Sequence, residues 1–393
     1  MKICFLFNHD AAHQVAHSIG IAACLAEQYP QHETVIAFGS AAIRQEIEKH
    51  LTAEQVTRLS WHDLSLPSLA SGALAPLNKL FPARRLARLF LGGTSLRQYD
   101  LIVSTERTCL ILKRQWRDKG PKFVLVPHGA GDRAVTYHPA MKDFDLMLLS
   151  GAKVRDQMVA HDIVTADQCR IIGYPKFDSL IGKAPEKFFD NDNPVFLYNP
   201  HFDPLLSSWY DDGEAILEWF YQRIDQYNLI FAPHVMLFFK NTHISAEYKK
   251  GRRRPDVAQK YRSAPNILVD LESPQLFDMS YTLSSDAYIG DVSSQVYEFL
   301  YHPRPCFFLD THSAQIGKPH SPEKPTYESW NLGPVARSAQ ELCLLLDDYK
   351  EIGLRYQAEQ KRLMDYTADR SDSRPAAERG AEAIADYLNF QAG

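Results

Sequence analysis

The chain has 393 residues, of which 45% are hydrophobic and 23% charged, and its 43 Lys and Arg against 48 Asp and Glu give a formal net charge of −5. That length predicts two or three domains, and the composition excludes a mostly disordered chain. The acidic balance does not favour nucleic acid, and no uncharged apolar run approaches the ~18 residues of a membrane-spanning helix.

In chain order, residues 2–7 (KICFLF) read as a buried strand. This opening is shorter than the apolar stretch of a secretory leader. Residues 11–28 then read as a helix, with Asn8 or Asp10 as its cap. Strands are expected at 34–38, 100–104, 122–126 and 145–149, with helical material between them. After a polar, Pro- and Asn-rich break at 183–194, the rhythm restarts. Strands are expected at 195–198, 229–232, 266–270, 286–289 and 305–309, and helices at 213–226, 293–301 and 338–364. Continuous apolar strands alternating with helices imply parallel sheets covered on both faces. The expected fold class is therefore α/β, with two doubly wound Rossmann-like domains facing a cleft. The first spans 1–185 and the second 186–370. A final helix within 371–393 is expected to return to the first domain.

Six cysteines (Cys4, Cys24, Cys109, Cys169, Cys306, Cys343) lie far apart with no C-x-x-C, which predicts reduced, buried thiols. His13 and His17 have the i, i+4 spacing of a metal pair, but no third ligand is near them in sequence. Residues 80–91 (LFPARRLARLFL) set Arg84, Arg85 and Arg88 among leucines and phenylalanines. Such a segment is either an ordinary surface helix or a basic amphipathic one lying on anionic lipid at the inner face of the cell membrane.

The residues that could carry chemistry sit where strands end. Tyr288-Ile289-Gly290-Asp291-Val292-Ser293-Ser294 closes one strand and opens a helix. Ser293 is the expected N-cap, and the helix start is an expected seat for a phosphate. Val126-Pro127-His128-Gly129, followed by Asp132, places an imidazole and a glycine at another strand end, where a general base would serve. Pro233-His234 repeats that placement in the second half. Ile172-Gly173-Tyr174-Pro175-Lys176-Phe177-Asp178 and Tyr198-Asn199-Pro200-His201 are further turns expected in the same cleft, as are His9 and His13. P-loop, G-x-G-x-x-G, H-E-x-x-H and G-x-S-x-G patterns are absent.

The order of His128-Gly129, Gly173 to Asp178, Tyr198-Asn199-Pro200, Pro233-His234 and Gly290-Asp291-Val292-Ser293-Ser294 with Glu298 resembles the CDP-glycerol glycerophosphotransferase family of teichoic-acid-type polymerases and primases. The resemblance covers roughly residues 120–310. Differences from the family pattern fall at Pro127, Lys176, His201-Phe202, Val235 and Glu298. The resemblance implies a GT-B-like architecture. It also implies transfer of glycerol phosphate, or a related polyol phosphate, from a CDP-activated donor to a hydroxyl of a cell-surface glycan or its lipid-linked precursor. His128 would be the base and His234 a donor to the phosphate. Ser293, Ser294, Asp291, Lys176, Tyr198 and Glu298 would line the donor site; His9, His13, Gly129 and Asp132 would face the acceptor. No metal or other cofactor is implied. Alternatives beside it are a GT-B glycosyltransferase with a UDP-activated sugar, a nucleotide-sugar 2-epimerase-like enzyme, and a non-catalytic module binding glycan in an assembly complex. The scattered thiols lead to the expectation of a cytoplasmic protein.

Overall fold

The computed structural model describes residues 1–10, 12–74, 77–79, 82–129, 137–245, 248–310 and 327–392. Its backbone divides into one unit made of 1–181 and 365–393 and another made of 182–364. In the first unit, seven strands form one parallel sheet: β1 (Lys2–Phe7), β2 (Glu33–Phe38), β3 (Ser60–Asp63), β4 (Leu101–Ser104), β5 (Lys122–Leu125), β6 (Leu146–Leu149) and β7 (Cys169–Ile171). Their order is β3-β2-β1-β4-β5-β6-β7. The chain therefore reverses its winding direction between β1 and β4, the place where open sheets of this kind leave a crevice at their carboxyl edge.

Alternation along each strand explains why the apolar runs are unbroken. Ile3, Phe5 and Phe7 pack on one face with Ile36, Val103 and Val124, beneath helices Ile19–Gln28 and Ala376–Ala392. Cys4 and Leu6 pack on the other face with Val35, Ile102 and Phe123, beneath Leu89, Leu112 and Val154 from three further helices. The terminal helix is pinned at its start, where the Asp178 carboxylate accepts from the backbone N–H groups of Ala376 (3.0 Å) and Ala377 (2.8 Å). Gly173, at φ 84°, makes the turn that leads to this cap.

The second unit carries β8 (Val195–Asn199), β9 (Asn228–Phe231), β10 (Thr242–Ile244), β11 (Gly251–Arg253), β12 (Ile267–Val269), β13 (Ala287–Gly290), β14 (Cys306–Leu309) and β15 (Val335–Ala336). Six of them form a parallel sheet in the order β12-β9-β8-β13-β14-β15, which switches direction between β8 and β13. Strands β10 and β11 form a separate antiparallel hairpin. Phe196, Leu229, Phe231, Ala287 and Phe307 pack beneath Ile216, Phe220 and Leu342.

Several boundaries differ from the sequence expectation. The helix expected at 11–28 is a 3-10 turn over Ala12–His17 followed by Ile19–Gln28, and the one expected at 338–364 is split into Ala339–Leu346 and Tyr349–Thr367. The helix expected at 293–301 is only Gln295–Phe299, so its dipole is short. Strands β3 (SWHD) and β11 (GRR) lack any apolar run that would mark them.

Residues 80 and 81 lie outside the described set. Along Ala83–Leu96 the three arginines turn inward. Arg88 is buried and pairs with Asp10 at 2.8 Å, Arg85 pairs with Glu106, and Arg84 donates to the carbonyl of Ser71 at 3.1 Å. The large apolar side chains it exposes are Phe90 and Leu91. No helix among the described residues is long and apolar enough to cross a membrane.

Candidate functional site

In the first unit the carboxyl ends of β4 and β5, together with the 12–17 turn, converge on one imidazole. His128 is exposed. Its Nδ1 lies 3.0 Å from the carbonyl oxygen of Thr105. A carbonyl can only accept, so Nδ1 carries the proton and the lone pair of the neutral ring sits on Nε2. Buried Gln14 accepts from the Thr105 hydroxyl through Oε1 (3.3 Å), which turns its amide NH₂ toward His128 Nε2 at 3.5 Å. That contact is long, and the lone pair stays open to a better donor. His17 stands edge-on to both His128 (6.3 Å) and Tyr174 (5.3 Å), walling one side of the ring. A Cβ added at Gly129 would meet nothing within 4 Å among the described residues.

Of the other residues assigned to this half, His9 is buried edge-on against Phe7. Lys176 is buried in the turn Pro175–Leu180. It belongs to this unit, and Ser293 and Ser294 to the other. His13 lies on the 12–17 turn, but its side chain, like the whole of Asp132, falls outside the described residues.

In the second unit the ends of β8, β9 and β13 meet at the switch point. The Asp291 carboxylate is buried and accepts from four groups: the backbone N–H of His201 (3.0 Å), of Ser208 (2.9 Å) and of Val292 (2.6 Å), and the Ser208 hydroxyl (3.1 Å). Burial raises its pKa to about 6, against the lowering pull of these donors. Its backbone carbonyl accepts from the Trp330 indole at 2.7 Å. Asp291 therefore ties the post-β8 loop to the post-β13 turn, and its oxygens are engaged inside the protein. This corrects its assignment to a donor phosphate, which a buried carboxylate would repel. Tyr198 is corrected likewise: it is fully buried, with its hydroxyl 3.0 Å from the Ser208 hydroxyl.

His234 remains at the surface of this loop cluster, half-buried, with its ring 5.3 Å from that of His201 and 4.8 Å from Phe202. Its Nδ1 accepts from the backbone N–H of Met236 at 3.2 Å. The neutral ring therefore carries its proton on Nε2, the opposite tautomer from His128. His201 is held in the same sense, since its Nδ1 accepts from the N–H of Asp203 at 3.1 Å. The N-cap of the short helix is Ser294, not Ser293, and its side chain makes no capping bond. Ser294 is exposed, whereas Ser293 is buried and accepts weakly from Gln295 N–H at 3.4 Å. Glu298 is half-buried on that helix.

Gln14, Thr105 and Ser208 are absent from the sequence-derived set. Each acts through a contact between segments distant in the chain, for which the sequence holds no local signal.

No protein-family model matches the chain, and no curated protein matches it in sequence. Solved structures do resemble it. The wall teichoic acid polymerase TagF superposes with a TM-score of 0.64 at 16% identity, covering 99% of this chain and 89% of that one. A UDP complex of MnaA from S. aureus gives 0.55 at 11% identity, covering 99% and 96%. A putative UDP-N-acetylglucosamine 2-epimerase from Listeria monocytogenes gives 0.56 at 13% identity, covering 100% and 97%. At these identities the likeness is one of fold, and the chain has a GT-B-like, two-domain α/β fold.

The Asp291 clamp makes a direct prediction. Asp291→Asn leaves one acceptor oxygen and turns an NH₂ toward groups that are themselves donors. It should lower stability by about 2–4 kcal/mol, read as a fall in denaturation midpoint at unchanged m-value. The native pKa is raised, so this group's contribution to stability is largest below the unfolded carboxylate pKa and is lost as pH rises through about 6. The gap between wild type and Asp291→Asn should therefore widen as pH falls from neutral toward about 4.

Proposed function

We propose that this chain is a transferase that moves glycerol phosphate, or a related polyol phosphate, from a CDP-activated donor to a hydroxyl of a cell-surface glycan or its lipid-linked precursor. The observation that carries the reading is the pair of opposite tautomers. The His128 ring presents a lone pair on Nε2, and the His234 ring presents a proton on Nε2; both are held by backbone groups at the carboxyl edge of a parallel sheet. The fold likeness to a wall teichoic acid polymerase and the order of the strand-end turns support the same reading.

In this mechanism His128 Nε2 takes the proton of the acceptor hydroxyl as its oxygen attacks the phosphorus bearing the glycerol. The bond from that phosphorus to the CMP oxygen breaks, and the imidazolium is neutralised by proton loss to solvent. His234 Nε2–H donates to the departing phosphate, and the hydroxyls of Ser293 and Ser294 complete its surroundings. Positioning and fixed donors supply the rate, as is general for displacement at phosphorus. A half-buried Glu298 beside the phosphate would oppose it, so its place in the donor site rests on the resemblance alone. Attachment to lipid through residues 80–91 is not part of this reading, because the arginines that would carry it are tied inward.

A second reading is favoured by the likeness to the MnaA–UDP complex and the Listeria epimerase: chemistry on a UDP-sugar. The nucleotide released separates the two. Incubation with CDP-glycerol and acceptor should release CMP. Product formed from a UDP-sugar alone, without acceptor, would replace the transferase reading with the epimerase one. His128→Ala should cut turnover by about 10²-fold or more, and unchanged turnover would remove His128 as the base.

Gln14 supplies a finer test. Gln14→Glu sets a carboxylate beside His128 Nε2 and favours the imidazolium. The acid limb of the kcat/KM–pH profile should move up by about one unit. An unmoved limb alongside an inactive His128→Ala would leave the base in place and refute the Gln14 contact.

A further inference from the structure

The most basic run of the chain, Lys249-Lys250-Gly251-Arg252-Arg253-Arg254, has no part in the transfer chemistry and lies on the β10–β11 hairpin of the second unit. Two of its arginines are turned inward. Arg252 pairs with Asp211 (2.6 Å) over the Tyr210 ring, and Arg254 is buried, pairing with Asp256 (2.6 Å) over the Phe238 ring. The remaining cations, Lys249, Lys250 and Arg253, are exposed together with Lys240, and none of the four forms an ion pair with a described residue.

Large apolar side chains stand among these cations. Phe239 is 73% exposed, Ile244 69% and Met236 38%. Their exposure is built into a braced turn. His243 is buried with Nε2 at 2.9 Å from the Leu237 carbonyl and 3.1 Å from that of Lys240, so Nε2–H donates to both. Arg254 donates its backbone N–H to the Asn241 carbonyl (2.8 Å) and a guanidinium N–H to the Asn241 side chain (3.1 Å). This brace splits two consecutive phenylalanines, holding Phe238 beneath the Arg254 guanidinium and Phe239 out in water. The strand register does the same for the hairpin. Thr242 lies opposite Arg253 and His243 opposite Arg252, so alternation puts Thr242, Ile244 and Arg253 outward and His243 and Arg252 inward.

We infer that this hairpin is a docking surface for an anionic lipid membrane. Exposed cations alone would suit any polyanion. Phe239 and Ile244, held in solvent among them, fit the boundary between headgroups and acyl chains, where apolar side chains enter and lysines and arginines meet phosphate. The inference concerns a different surface from residues 80–91 and does not depend on which group the enzyme transfers.

Flotation of the full chain with vesicles tests it. Recovery should be high with vesicles that are one-third phosphatidylglycerol and low with pure phosphatidylcholine. The triple change Lys249→Ser, Lys250→Ser and Arg253→Ser should weaken binding by roughly fivefold per cation, on the order of a hundredfold in all. Phe239→Ser with Ile244→Ser should remove the binding that persists at high salt. In a separate readout, Phe239→Trp should be quenched by brominated lipid beyond the parent chain. Undiminished recovery in both Ser variants, no added quenching at position 239, or binding to soluble polyphosphate without binding to vesicles would each overturn the inference.

Discussion

What an imidazole can do depends on which of its nitrogens holds the proton, and here the backbone decides. A carbonyl facing Nδ1 leaves Nε2 as an acceptor, which is the case for His128 under Thr105. A backbone N–H facing Nδ1 leaves Nε2 as a donor, which is the case for His234 above Met236. Both arrangements arise because a parallel sheet sends all its strand-to-helix turns out of one edge, and the turns at a switch point crowd together there. The fold thus holds two imidazoles in opposite tautomers, one with its Nε2 lone pair outward and one with its Nε2 proton outward.

Rigidity at these edges has a physical source in each unit. In the first, Thr105 is held on both sides, by its carbonyl to His128 and its hydroxyl to Gln14. In the second, a buried carboxylate gathers the backbone of three separate positions. Burying that charge is costly, and its pKa near 6 records the cost. A residue with this many internal donors organises a site better than it binds an anion.

Much of the architecture was legible in the residues. The strands of both sheets show as apolar runs because helices cover both faces, and runs such as KICFLF and KFVLV have no other soluble use. The polar strands β3 and β11 were not legible, since edge and hairpin positions need no apolar pattern. At the site, the sequence showed which residue types gather at strand ends but not which way they point. Period-two alternation gives a partial remedy: Phe196 and Tyr198 share a face of β8, so Tyr198 belongs to the core. Asp291 offered no such cue, because its partners His201 and Ser208 come from another segment. The three arginines of the helix Ala83–Leu96 form a basic stripe on paper. Their anionic partners, Asp10 and Glu106, follow strands remote in the chain, and the stripe became an internal network.

The measurement that bears most directly on the account is a crystal structure of the protein with CDP. The diphosphate is expected against the turn 291–294, with an oxygen accepting from His234 Nε2. A diphosphate seated anywhere else on the chain, or bound CDP leaving His234 and Ser294 untouched, would contradict it.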